Sequence, residues 1–204
     1  MNLIAIIDYG VGNLGSVQKA MQFVGLNVSI TSDINEIRRA DAVVLPGVGA
    51  YSDAMKHLVS RGMDVAVKEA VQQNKLFLGI CLGMQLLFET SEEGGRNVQG
   101  LGLYKGAIKL LPQNNGLKVP HIGWNSLQCY DSQLFKGLPE HPYVYFVHSF
   151  YLEAASRPIV AATCEYGVCF DAAIHSDRIF ATQFHPEKSG EIGLEILKNW
   201  AAMI

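Results

Sequence analysis

Gly79-Ile80-Cys81-Leu82-Gly83 sets a cysteine between two glycines, each two residues away, where an apolar run meets a stretch of helical spacing. These are the residue types of a nucleophile elbow, in which the glycines permit a tight, strained turn that lifts a nucleophile above the end of a strand. A helix start favours negative charge, so a thiol placed there is expected to ionise more readily. The amide of Leu82 would face an oxyanion forming on a carbonyl under attack. The bland alternative is a buried, inert cysteine, the common fate of Cys among apolar residues.

A base follows much later in the chain, in Phe184-His185-Pro186-Glu187. A residue before proline is pushed out of the helical region, so His185 is expected to be extended. Side chains two apart in extended chain leave on the same side, which places Glu187 beside the imidazole. A carboxylate on one ring nitrogen fixes the tautomer and steadies the imidazolium, leaving the other nitrogen for a thiol. Taken alone, the tripeptide reads as a surface histidine beside an exposed glutamate. The elbow changes that balance. Both features also fall at the carboxyl ends of expected strands, where open α/β sheets carry their sites.

The elements around them alternate. Leu3 to Ile7 is a continuous apolar run, as in a strand buried on both faces. Leu14, Val17, Met21 and Val24 recur at helical spacing until Gly25. Leu26 to Ile30 reads as a strand, Asp33 to Arg39 as a short helix, and Ala42 to Leu45 as a strand stopped by Pro46-Gly47-Val48-Gly49. A helical region broken near Gly62 runs to Gln73, and Leu76 to Ile80 is again a strand. An amphipathic helix carrying Met84, Leu86, Leu87 and Phe88 is expected after Cys81.

This is the pattern of an α/β fold with an open, mostly parallel, doubly wound sheet. The second half is richer in strands: Val119 to Leu127, Tyr143 to Val147, Ile159 to Cys164, Cys169 to His175 and Ile179 to Phe184. They imply an added antiparallel portion or the far edge of the sheet. Ser189 is the expected N-cap of a closing helix with the apolar stripe Ile196, Leu197, Trp200 and Ile204. No repeat or linker divides residues 1–204, which read as a single domain.

Composition narrows the functional classes. The chain has 204 residues, of which 49% are hydrophobic, and a net charge of −3. Its scattered lysines and arginines offer no field for nucleic acid. No apolar run approaches the roughly 20 residues that span a bilayer, and the start lacks the basic flank of a signal peptide. Cys81, Cys129, Cys164 and Cys169 are too scattered for a disulfide framework, and none has the close companions of a zinc site. The reading is a reducing, cytoplasmic protein without metal or cofactor.

With Met84 and Gln85 following Gly83, the elbow resembles the nucleophile motif of the class I (triad) glutamine amidotransferases, and His185-Pro186-Glu187 resembles their distal motif. Four more segments are similar to the glutaminase subunits of imidazole glycerol phosphate synthase. They are Asp8-Tyr9-Gly10-Val11-Gly12-Asn13-Leu14, Pro46-Gly47-Val48-Gly49-Ala50, Pro120-His121-Ile122-Gly123-Trp124-Asn125 and Tyr145-Phe146-Val147-His148-Ser149-Phe150. The resemblance runs essentially end to end.

It implies a flavodoxin-like fold and a Cys-His-Glu triad of Cys81, His185 and Glu187. It implies an oxyanion hole from the amides of Val48 and Leu82. Substrate contacts would come from Gly47, Gln85, Glu93 and the backbone of Ser149 and Phe150, where many relatives carry tyrosine at Phe150's position. A heterodimer partner, a (β/α)₈-barrel cyclase, would meet Trp124 and Asn125. Each residue also has a plainer reading: Gly47 and Gly49 as a turn, Gln85 as an exposed helix residue, Trp124 as core. His121 and His148 read as structural or interface histidines, and His57, His141 and His175 as solvated. Rival functions are a glutaminase of another pathway, a cysteine hydrolase on a similar sheet, and a partner-binding module without chemistry.

Overall fold

The computed structural model describes residues 2–95, 98–113 and 116–204. Its first part alternates as the sequence suggests. Strands β1 (Leu3–Ile7), β2 (Asn27–Thr31), β3 (Ala42–Gly47) and β4 (Leu76–Cys81) are separated by helices α1 (Leu14–Phe23), α2 (Ile34–Arg39), α3 (Tyr51–Ser60) and α4 (Met63–Gln72). The strands pair in parallel in the order β2-β1-β3-β4. All residues of β3 and β4 are buried, which explains their unbroken apolar sequence. Asp33 caps α2 by accepting from the Asn35 amide at 2.8 Å. Gly62, at φ +70°, makes the break between α3 and α4.

Pro46 does not end β3. The strand continues to Gly47, which stands opposite Cys81, while pairing with β1 stops at Val44. Proline is tolerated because no β1 residue needs its missing N–H.

After Cys81 the chain makes α5 (Leu82–Gln85), β5 (Phe88–Ser91), β6 (Val98–Gln99), β7 (Tyr104–Leu110), β8 (His121–Ser126) and β9 (Gln128–Cys129). It continues with β10 (Tyr143–His148), β11 (Phe150–Ala154), β12 (Val160–Glu165), β13 (Cys169–Ser176), β14 (Ile179–Thr182) and α6 (Gly190–Ala201). The large sheet runs on from β4 through β14, β13, β11, β7 and β5 to β6, with β12 against β13. β14 is parallel to β4, and β13, β11 and β7 are antiparallel. β8 and β10 form a separate antiparallel pair. The expected antiparallel addition is therefore present. The amphipathic helix expected after the cysteine is not: it ends at Gln85, and Phe88 opens β5.

The core lies on both faces of the sheet. Val17 and Met21 of α1 share one apolar cluster with Ile196, Leu197 and Trp200 of α6, while α3 and α4 fill the other with Leu58 and Val67. This is the layering of a doubly wound fold.

Candidate active site

The turn at Cys81 is held in a conformation that residues with a side chain rarely adopt, φ 55° and ψ −112°. Such geometry persists only where the surroundings over-determine it. Here the neighbours do so. A Cβ on Gly83 would collide with the Leu45 carbonyl oxygen, and one on Gly79 would meet Ala181, Gly83 and Met84 atoms at 3.1 Å. The glycines therefore let α5 pack directly onto β3, and Cys81 is left at the end of β4 on a cavity wall.

His185 follows β14, the neighbour of β4, and is extended at φ −99°, ψ 99°. Its Nδ1–H donates to Glu187 Oε1 at 2.8 Å. Their side chains are 2% and 1% exposed. Burial alone would lower the imidazole pKa; the neighbouring Cys81 sulfur and the Glu187 carboxylate outweigh it and push it up to about 9. Nε2 has no hydrogen-bond partner among the described residues, and His185 shares the cavity wall with the sulfur. Ser189 stands at the N-cap position of α6, as expected, but its side chain makes no capping bond to the helix. Its hydroxyl donates to the His185 carbonyl at 2.6 Å and accepts from the Tyr145 amide at 3.0 Å, tying the histidine's backbone to β10.

The cavity holds about 390 Å³. Cys81, Leu82, Val48, His185, Gln85, Glu93, Ser149 and Phe150 all line it, so the structure gathers residues from five separate stretches of chain. Glu187 stands behind His185, off that wall. Gly47 also stands off it, under the loop, where a Cβ would fall 2.6 Å from the Tyr9 hydroxyl.

Gln85 is not an exposed helix residue. It is 4% exposed, and its Nε2 donates at 2.9 Å to both the Phe150 carbonyl and Gln183 Oε1. Gln183 in turn directs its Nε2 at the Cys81 sulfur, 3.6 Å away. Glu93 accepts from the Tyr51 amide at 3.0 Å and so caps α3, and burial raises its pKa.

The sequence reading missed Gln183 and the wall residues Val147, His148 and Lys188. A polar residue in the apolar run before His185 was the available signal for Gln183. His148 and His121 form a buried pair. His148 Nδ1–H donates to the Phe150 carbonyl at 2.9 Å, so its Nε2 must accept from His121 Nδ1–H at 3.1 Å. Burial lowers their pKa values, to about 3 for His148 and about 4 for His121, so both are neutral. His175 is not simply solvated: it stacks on Phe180 at 4.2 Å.

Trp124 and Asn125 lie on β8, away from the cavity. Trp124 is 55% exposed, edge-on to Tyr145, whose ring lies 5.9 Å from Lys188 Nζ. It is not a core tryptophan. Asn125 is tied inward by bonds to the Glu165 carbonyl at 3.0 Å and from the Ser126 amide at 2.8 Å. No helix among the described residues is long and apolar enough to cross a membrane.

A thiol at a strained strand end and a buried His–carboxylate pair, meeting at a partly open cavity that Gln85 and Glu93 also line, make a site for covalent acyl chemistry. The profile of the family described as glutamine amidotransferase class-I matches residues 5–203, and the chain belongs to that family. Within it, the chain is 51% identical to the imidazole glycerol phosphate synthase subunit HisH of Caldanaerobacter subterraneus subsp. tengcongensis, over 99% of this chain and 98% of that one. It is 49% identical to the HisH subunit of Moorella thermoacetica, over 100% and 96% of the two chains. Among solved structures, that of PurLQS from Thermotoga maritima is similar with a TM-score of 0.77 at 18% identity, covering 99% of this chain and 98% of that one. A glutamine amidotransferase structure gives 0.73 at 15% identity, over 97% and 98%. Those two likenesses concern the fold.

Proposed function

We propose that this chain, a single amidotransferase domain of residues 1–204, hydrolyses glutamine to glutamate and ammonia. The ammonia passes to a (β/α)₈-barrel cyclase subunit, which makes imidazole glycerol phosphate and AICAR in histidine biosynthesis. The observation that carries the hydrolysis is the strained Cys81 sharing one cavity with the buried His185–Glu187 pair. End-to-end similarity to HisH subunits carries the pathway.

The Cys81 thiolate adds to the side-chain amide carbon of glutamine, with His185 holding the proton as an imidazolium. The oxyanion is met by the amides of Val48 and Leu82. The C–N bond breaks as His185 gives its proton to the leaving nitrogen, so ammonia departs and a glutamyl thioester remains. His185 then takes a proton from water, which attacks the thioester; glutamate leaves and the thiol is restored. Glu187 balances the imidazolium in both halves. Gln85 and Glu93 hold the amino-acid end of the substrate, and the backbone of Ser149 and Phe150 takes its carboxylate.

Ammonium is not nucleophilic, so the product must travel in a dry passage to a partner seated on the face bearing Trp124 and Asn125. The chain works in the cytoplasm, and it works poorly alone because the Val48 amide turns into place only when the cyclase is loaded.

The test is glutamate release with and without a candidate cyclase and its ligand. Cys81→Ala is expected to fold normally and release none. Hydrolysis at the wild-type rate by that variant would end the proposal.

A further inference from the structure

The mechanism above leaves one buried hydroxyl near the site unused. Tyr9, just past the carboxyl end of β1, is 0% exposed, and among the described residues its hydroxyl has no hydrogen-bond partner. A Cβ on Gly47 would fall 2.6 Å from that oxygen, and 3.0 Å from the Gly83 amide nitrogen and Leu82 Cβ. The hydroxyl therefore lies beneath both strand ends that supply the oxyanion amides, yet off the cavity wall. Burial and the neighbouring Cys81 both raise its pKa, so it stays a neutral donor.

A buried donor without an acceptor is costly, and phenylalanine would fill the same space without that cost. The hydroxyl calls for an acceptor in another state of the protein. The peptide joining Gly47 to Val48 can supply one. Gly47 is buried and opposite Cys81, but it is the last residue of β3; Val48 is exposed and Gly49 beyond it sits at φ +96°, so the peptide lies where strand pairing ends and can turn at that end. A trans peptide carries its C=O and N–H on opposite sides. A Gly47 carbonyl turned down to Tyr9 thus turns the Val48 N–H up toward the cavity.

We propose that Tyr9 is a positioning residue for the oxyanion site: in the reacting state its hydroxyl donates to the Gly47 carbonyl and fixes the Val48 amide toward the substrate. This deepens the glutaminase reading and rests on it.

Tyr9→Phe tests it, in the full chain with the cyclase subunit of the same source organism added. The expected result is a kcat for glutamine hydrolysis lowered about 10- to 100-fold, less than the roughly 10²- to 10³-fold of a lost oxyanion donor. KM is expected to stay within about twofold and the melting temperature to hold or rise. Tyr51→Phe, which removes a second buried tyrosine hydroxyl without a partner among the described residues, sets the rise in melting temperature that such a deletion gives by itself. An unchanged kcat overturns the proposal. So does a lower melting temperature or failure to fold, because the hydroxyl is held to bond nothing at rest. Wild-type chain that releases no glutamate under these conditions overturns the glutaminase reading as well, and the two failures are separable by that control.

Discussion

Glu187→Gln isolates the charge behind His185, the acid and base of the proposed mechanism. The glutamine is nearly isosteric and its Oε1 can still accept from His185 Nδ1–H, so the 2.8 Å contact and the packing of a side chain 1% exposed are kept. What goes is the carboxylate's charge. A hydrogen bond to a charged group contributes about 1.5–3 kcal/mol. At about 1.4 kcal/mol per pKa unit, its loss draws His185 down about 1 to 2 units from about 9. The alkaline limb of kcat/KM for glutamine hydrolysis is assigned to His185 losing its proton, and it is expected to move acid by that amount. The rate at pH 7 is expected to fall about 10- to 100-fold, since the imidazolium loses its partner in the transition state.

Stability gives a second reading of the same change. The folded pKa lies above the ordinary 6.5, so the pair's contribution is fully present below pH 6.5 and is lost as pH rises through about 9. For wild type that loss is about 3 kcal/mol; for the variant it is smaller. Urea unfolding at pH 6 and 9.5 measures both. An unmoved alkaline limb with a rate within about threefold of wild type would refute the assignment of Glu187 as a group that, with Cys81, holds His185 charged.

Two further outcomes follow from the packing. Gly83→Ala is expected to lose at least about 3 kcal/mol in urea unfolding, because the added methyl meets the Leu45 backbone rather than a side chain that can move; a loss under about 1 kcal/mol would contradict the fit of α5 on β3. Nitrogen-15 NMR is expected to find His121 and His148 as neutral Nδ1–H tautomers at pH 6. Their pKa values are lowered, to about 4 and about 3, so their stabilising effect is present above pH 6.5 and is lost as pH falls toward those values. Titration of either ring near 6.5 would contradict their burial.

The parallel half of the fold was readable because burial on both faces writes itself into composition. β1 begins and ends where its apolar run does, and Gly62 and Asp33 mark real helix ends. The elbow and His-Pro-Glu were readable because strained turns demand particular residue types. β5, β6, β7 and β11 were not: β7 is Tyr-Lys-Gly-Ala-Ile-Lys-Leu with little of it buried, and its pairing with β11 and β5 is set by distant partners. The same holds for Gln183 and His148. A lone polar residue in an apolar strand announces burial but not the atom it will meet. Ser189 was readable as the N-cap position of α6, but not that its hydroxyl would turn to the His185 carbonyl instead of the helix amides.

β14 lies between β4 and β13, pairing Ile179–Thr182 with Phe77–Ile80 although about a hundred residues separate them. On the proposed mechanism, a chain whose β14 is unpaired would leave the edge of β4 open and hold Cys81 without His185 beside it. Pairing of this late strand with an early one is then the step that joins the thiol to its base.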